Sequence, residues 1–576
     1  MSQAKRSRWI LFVLIIMLSL CGVRLVSLQI VEGPTLAAEG QAVRTQRSDV
    51  AARRGKIMDA TGVVLADSIL TYDIAVNQVN IRSYVHYDKE GNVVGRGPAE
   101  AARQLAGLLD MDAAELGGLL IGDSTYSYIK RNVDAVTFRQ IRALNIFGIE
   151  WETVYQRIYP NGNTAASVIG TIDAQGVGSS GIESQYDTLL QGTPGAEAFE
   201  IAPNGAVMPG GKKTIVEPTD GGSVTLTLHA DLQHVVQKLL DERVNQHNAD
   251  WGAVVIQDVS TGQVLVMADS NLTEPNRSKV QPVSAVQYAF EPGSVGKVLT
   301  FATALDAGVI SPTSVFTVPY SIEPPDAGGP IVDFHDHPTE PLTATGILAA
   351  SFNTGTVFVG EKLSSQQRYD MMRKFGLGEK TGIELPGESS GLLPPASQWV
   401  GRDRYVNMFG QAYMISALQQ SSIMATLGNG GVRTPPRIVK SWTNADGTVE
   451  TPEAPEPVQV LSKDTAATVV KMMESVVVGD IGTASTARVD GYRIAMKTGT
   501  AEIVVQGDSG LVSTSAGVVP ADAPRLAISV VLYKPKSGGV SSWSAVPFFG
   551  DITRQAVRIL GIPASEPATD LYPTRP

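Results

Sequence analysis

Three short motifs lie far apart in this 576-residue chain: Ser294-Val295-Gly296-Lys297, Ser351-Phe352-Asn353 and Lys497-Thr498-Gly499-Thr500. They constrain the fold more than any other feature, because their chemistry needs them gathered at one place. A serine hydroxyl is a poor nucleophile until a neighbour takes its proton. A lysine three residues on along a helix shares its face and can reach it. Pro292 and Gly293 suit a sharp start to a helix over 294–307, which Gly308 ends. That start sets Ser294 near the positive end of the helix dipole. The same spacing occurs by accident at Ser2-Gln3-Ala4-Lys5, so only the company of the other motifs gives it meaning.

Lys497-Thr498-Gly499-Thr500 sits in a stretch of strand composition, 492–505. Alternation puts Thr498 and Thr500 on one face, where two hydroxyls can hold a carboxylate. Gly499 removes a side chain where another backbone comes close, and a peptide can dock there as an added strand. A second Lys-Thr-Gly, at 380–382, is flanked by charges and turn residues and reads as a surface connection. Ser351 and Asn353 follow an apolar stretch, as if at a helix tip. A serine there can relay a proton and an amide can hold a carbonyl, although Ser and Asn also serve as plain caps. His335-Asp336-His337 lacks the further ligands a closed metal site needs and reads as a solvated loop.

The net charge of −11 argues against a nucleic-acid partner, which calls for a basic face. Lys5, Arg6 and Arg8 precede an apolar run over 9–31, broken only by Arg24. At about 1.5 Å per residue this run spans a bilayer, with Arg24 snorkelling. The flanking cations keep the N-terminus cytoplasmic. No small-x-small cleavage site follows, so the segment is expected to be an uncleaved anchor at residues 9–31 behind a tail at 1–8. Cys21, the single cysteine, lies inside it, leaving the exported part without a disulfide.

Beyond the anchor the sequence predicts a hairpin over 53–66, a helix over 98–120 and a strand over 166–172. Gly176-Val177-Gly178-Ser179-Ser180-Gly181 matches a dinucleotide fingerprint but lacks the strand-helix-strand unit around it, so it reads as a glycine turn. The Gly- and Pro-rich stretch 203–222 marks a domain boundary. After it come a helix over 232–246, a hairpin over 253–267, strands at 515–519 and 526–533, and a helix over 552–560. This is an α+β pattern, an antiparallel sheet flanked by helices. The Pro-rich tail over 566–576 is expected to be disordered.

With these motifs in hand, the chain resembles the class B penicillin-binding proteins, most closely the septal, FtsI-type division transpeptidases. The resemblance also rests on Arg54-Gly55 to Ala66, Arg157 to Pro160 and Gly181-Ile182-Glu183 to Gly192. It implies a transpeptidase fold with an all-helical subdomain over 223–565, carried on a dimerisation-type pedestal over 32–222. It implies that Ser294 attacks the D-Ala-D-Ala bond of a stem peptide, that Lys297 is its base, and that Ser351 and Lys497 pass the proton to the leaving amine. Asn353 belongs to the same catalytic set. N–H groups of Ser294 and Thr500 would form the oxyanion hole, and Thr498, Gly499 and Thr500 would bind the substrate carboxylate end. An amine of a second stem peptide would take the acyl group, β-lactams would trap Ser294, and no cofactor or metal would be needed. A SEDS-type membrane glycosyltransferase and other division proteins would be the partners, with the catalytic domain outside the plasma membrane. Lateral-wall synthesis, a carboxypeptidase or β-lactamase activity, a β-lactam sensor and a non-catalytic scaffold are the competing readings. The chain departs from the family in Gly296, where a bulkier residue is common and about 1 kcal/mol of helix propensity is lost. Phe352, where β-lactamases commonly carry Asp, favours a penicillin-binding protein.

Overall fold

The computed structural model describes residues 3–33, 35, 45–201, 207–271, 282–453, 456–505 and 508–576. It opens with one helix, Gln3–Val26, continued by a π turn, Ser27–Val31. Its apolar side chains are exposed along their length, and it is long and apolar enough to cross a membrane. Arg24 pairs with Glu32 at 2.7 Å at its far end.

Two compact units follow from the packing. The first comprises residues 1–54, 68–156 and 192–221; the second comprises 55–67, 157–191 and 222–576. In the first, the helices Gly97–Leu109, Ala113–Leu119 and Ala135–Ala143 cover one core built on Ile74, Val76, Leu105, Leu116, Phe138 and Ile141. The helix expected over 98–120 is broken at Asp110, which sits in the left-handed region, and Asp112 caps the second piece through the N–H groups of Ala114 and Glu115. A separate antiparallel ladder joins Thr45–Val50, Gly195–Ile201 and Val207–Val216.

The second unit holds the three motifs. Its centre is a five-stranded antiparallel sheet of β1 (Trp251–Asp258), β2 (Val264–Asn271), β3 (Ala495–Val505), β4 (Asp508–Val519) and β5 (Leu526–Tyr533), in the order β2-β1-β5-β4-β3. Both faces are covered, which is why β1 and β5 read as unbroken apolar runs. Val254, Ile256, Ile528, Val530 and Leu532 point to one side, against helices Ala230–His247 and Ala545–Ile559. The alternate positions Ala253, Val255 and Val531 point to the other. On that side lie α1 (Lys297–Asp306), α2 (Ala344–Ala350), α3 (Asn353–Gly360), α4 (Ala417–Gly428) and α5 (Lys463–Val478), which share the core of Phe301, Ile347, Val359, Met424 and Met472. This is the α+β architecture expected, with its helical part. Among the described residues β3 is an edge strand, paired only with β4.

Two further expectations are corrected. Residues 166–169 are a short helix, Ala166–Ile169, with Ser167, Val168 and Ile169 buried; packing overrides the strand preference of its β-branched residues. The tail over 566–576 is docked rather than disordered. Asp570 pairs with Lys471 at 2.6 Å, Tyr572 packs on the helical core, and the carbonyls of Pro573 and Thr574 accept from the Thr343 hydroxyl and N–H. Arg575 reaches Glu340 and Asp480. Composition signals disorder when a segment has nothing to bury; this one is held by side chains of the elements beneath it.

Candidate active site

Residues Gly293–Gly296 form a 3-10 turn that runs into α1, rather than the first turn of an α-helix starting at Ser294. The tighter turn eclipses positions i and i+3 and sets Lys297 behind Ser294. Lys297 Nζ donates to Ser294 Oγ at 3.0 Å. The turn is clamped from two sides. Gly293, at φ +55°, donates its N–H to the Gly410 carbonyl at 2.9 Å, and Thr514 donates to the Pro292 carbonyl at 3.2 Å. Glu291, raised by burial above the usual carboxylate range, accepts the Ala412 N–H at 2.9 Å. Gly410, at φ +94°, has no room for a side chain: a Cβ there would run into the Gly293 carbonyl.

Ser351 caps the C-terminus of α2 in the left-handed region, at φ +64°, where a non-glycine residue is uncommon. That conformation brings its carbonyl and hydroxyl to Lys297 Nζ, the hydroxyl at 3.2 Å. Lys497 Nζ donates to the same Ser351 hydroxyl at 2.8 Å and lies within 3.1–3.2 Å of the Thr498 carbonyl and hydroxyl. Both lysines are fully buried. Burial pulls the Lys297 ammonium down to about 7, opposed by the charge of Asp333. Burial, then repulsion from Lys297, drives Lys497 well below its ordinary value. The pair therefore holds fewer than two protons near neutral pH, so a neutral amine is at hand to accept one from Ser294 or Ser351.

Asn353 opens α3 and donates from Nδ2 to the Val332 carbonyl at 2.9 Å, leaving its second amide hydrogen for another acceptor. On β3, Gly499 has no space for a Cβ, which would collide with the Thr514 hydroxyl and lie 2.5 Å from the Pro292 carbonyl. The strand thus lies against the nucleophile turn. The Thr498 hydroxyl lies 3.2 Å from that of Thr483, and Thr500 exchanges hydrogen bonds with the hydroxyl and N–H of Ser541. Thr483, in a bend, and Ser541, opening the short 3-10 helix Ser541–Trp543, carry no sequence pattern that announces them. So Ser294, Lys297, Ser351 and Lys497 form one hydrogen-bonded cluster, flanked by Asn353 and by the Thr498–Thr500 strand.

The decoys fall elsewhere. Thr381 and Gly382 wrap the Glu388 carboxylate in a turn. Gly176–Gly181 follows a turn closed by Asp173, and the helix after it, Gly181–Gln185, is too short for a nucleotide fold. The loop holding His335-Asp336-His337 is solvated only in part. His335 and Asp336 are exposed, but His337 is turned inward onto Asp333. Among the described residues no group of side chains assembles to hold a metal.

Gly296 is explained by its surroundings. A Cβ there would collide with the Tyr413 hydroxyl and lie 2.6 Å from the Gly410 Cα. Tyr413 is buried, and its hydroxyl has no partner among the described residues. Alanine at Gly296 gains about 1 kcal/mol of helix propensity but costs about 1–3 kcal/mol of overpacking. Gly296→Ala is therefore expected to destabilise, and Tyr413→Phe in the same chain to recover part of the loss. Urea melts of the single and double variants read this, and a stabilised Gly296→Ala would contradict the packing argument.

Comparison with known proteins gives one answer. Residues 252–554 match the penicillin binding protein transpeptidase domain and residues 49–226 the penicillin-binding protein dimerisation domain. The chain is 34% identical to penicillin-binding protein PbpB of Mycobacterium tuberculosis, over 96% of this chain and 84% of that one. It is 32% identical to peptidoglycan D,D-transpeptidase FtsI of Escherichia coli, over 94% of this chain and 89% of that one. A crystal structure of penicillin binding protein 3 from M. tuberculosis, complexed with aztreonam, superposes with a TM-score of 0.69 at 30% identity, covering 91% of this chain and all of that one.

Proposed function

The chain belongs to the class B penicillin-binding proteins, serine-type peptidoglycan D,D-transpeptidases, and we propose that it cross-links stem peptides in septal wall synthesis through an acyl intermediate on Ser294. The observation that carries the residue roles is the cluster in which Lys297 touches Ser294 while sharing Ser351 with Lys497.

In the first half-reaction neutral Lys297 takes the Ser294 proton as Oγ attacks the carbonyl of the penultimate D-Ala. The N–H groups of Ser294 and Thr500 stabilise the developing oxyanion. Ser351 and Lys497 deliver a proton to the leaving nitrogen, the C–N bond breaks, and D-Ala departs as the free amine. The hydroxyls of Thr498 and Thr500 hold the terminal carboxylate, and the donor lies along the edge of β3 as an added strand. In the second half-reaction an amine of another stem peptide attacks the ester, its proton passes back through the lysines, and Ser294 is released. A β-lactam follows the first half-reaction, but its leaving nitrogen stays tethered and the ester persists.

Residues 9–31, within the helix Gln3–Val26 and its π turn, serve as a single-pass anchor, with Lys5, Arg6 and Arg8 before them in the cytoplasm and the second unit outside. In this reading the partner is a SEDS-type membrane glycosyltransferase, which would supply the glycan strands. The reading keeps domain limits of 32–222 for the pedestal and 223–565 for the transpeptidase, although residues 55–67 and 157–191 of the first range belong to the second compact unit.

The test is turnover. Full-length protein in detergent, given a labelled donor ending in D-Ala-D-Ala, should form a larger acyl-transfer product only when an acceptor amine is present. Release of D-Ala by water at the same rate with or without acceptor would defeat the transpeptidase assignment. Depletion in cells should give filaments with blocked septa; rounded or bulging cells would place the enzyme in the lateral wall instead.

A further inference from the structure

The Ser351-Phe352-Asn353 motif is held from a loop that the mechanism above does not use. The N-cap of α3 is Phe352, whose side chain cannot accept from the first N–H groups of the helix. Asp333, twenty residues before Asn353, takes that place. Its buried carboxylate accepts the N–H groups of Asn353 and Thr354, the latter at 3.1 Å, and the Thr354 hydroxyl at 2.7 Å. Its own N–H donates to the Tyr320 carbonyl at 3.0 Å.

His337 completes the arrangement. Nε2 faces Asp333 Oδ2 at 3.0 Å and Nδ1 faces the Pro338 carbonyl at 2.9 Å. Both partners are acceptors, and only the imidazolium donates from both nitrogens. The ring stacks on Phe352, centroids 4.0 Å apart and 5° from parallel, with Tyr320 edge-on. Glu340, itself paired with Arg575, also acts on His337 through its charge. His335 and Asp336 on the same loop are exposed.

We propose that Asp333 and His337 are positioning residues for acylation, an ion pair that fixes the Phe352-Asn353 start of α3 and balances the charge beside Lys297. The proposal rests on Lys297 being the base. An unpaired Asp333 would hold a proton on Lys297, because opposite charge favours the ammonium. Paired with the His337 imidazolium, Asp333 keeps its capping hydrogen bonds while most of its field at Lys297 is cancelled. Burial, the largest single effect, would lower a histidine, but the hydrogen bonds to Asp333 and the Pro338 carbonyl together with the charges of Asp333 and Glu340 outweigh it and hold His337 above its ordinary value.

The test is the pH profile of acylation by a fluorescent penicillin, measured on the full chain in detergent. His337→Gln should move the acid limb up by about half a pH unit or more, roughly a threefold loss of rate at pH values below the limb. Asp333→Asn should move it down. His337→Arg, which restores the positive charge, should bring the limb back towards wild type and separates charge from packing should Asp333→Asn fail to fold. A limb that stays in place in His337→Gln, whether the rate falls evenly at every pH or not at all, would overturn the proposal. Wild-type protein that takes no label would instead defeat the functional reading on which the proposal stands.

Discussion

Alanine at Ser294 is expected to abolish covalent labelling by a β-lactam, and methionine at Lys297 to slow it by about 10²–10⁴-fold, the usual worth of a positioned base. Among the described residues, the other hydroxyls hydrogen-bonded to Lys297 and Lys497 belong to Ser351, at the capped end of α2, and Thr498, which is assigned to substrate binding. Methionine fills much of the lysine stem's volume, so the fold should survive. It should also gain stability near neutral pH. Lys297 titrates at about 7 in the folded chain against 10.5 ordinarily. Between those values the unfolded chain binds the extra proton, so wild-type stability rises with pH across that window and is lowest below it. Lys297→Met should lose this part of the slope while being more stable than wild type at pH 7. Intact-mass labelling kinetics and urea melts at pH 7 and pH 9 measure both. Undiminished labelling of Ser294→Ala would move the nucleophile elsewhere. A Lys297→Met protein less stable than wild type at pH 7 would mean that the amine contributes more through its hydrogen bonds than its burial costs.

What the sequence made legible was local. Ser294 and Lys297 are three residues apart, and any helical turn brings them together. Thr498, Gly499 and Thr500 lie in a strand whose alternation can be read directly. The apolar run at 9–31 shows as the long exposed helix and its π turn. The turn type at 293–296 was not legible, since Pro292 and Gly293 suit a 3-10 start as well as an α start; packing of Gly293 against Gly410 and Thr500 decides it. Asp333 was missed and His337 misread for the same reason. Their partners, Asn353, Thr354 and Phe352, come from a distant helix start, and a loop that is half polar looks solvated until the fold buries part of it. The docked tail has no periodicity at all. Its hydrogen bonds run to Thr343 and Asp480, which no local pattern announces.

The chain carries two Lys-Thr-Gly triplets, and their glycines separate stability from catalysis. Gly382 sits at φ +83° in an open turn, with nothing within 4 Å of a built Cβ. Gly382→Ala should cost about 1–2 kcal/mol, the strain of a left-handed alanine, and leave acylation unchanged. At Gly499 the strain is steric. A Cβ meets the Thr514 hydroxyl, which holds the Pro292 carbonyl, and comes within 2.5 Å of that carbonyl itself. Gly499→Ala should cost about 1–3 kcal/mol by overpacking, close to the cost at Gly382. The relief available to it is movement of the turn at 292–296, and that turn carries Ser294. A displacement near 1 Å at a nucleophile is worth on the order of 100-fold in rate, so labelling should fall by about that factor or more. The two variants thus lose similar stability and differ sharply in acylation, read by urea melts and penicillin labelling side by side. Equal labelling of the two would show that β3 does not set the position of Ser294 and that the strand meets the site only through Lys497.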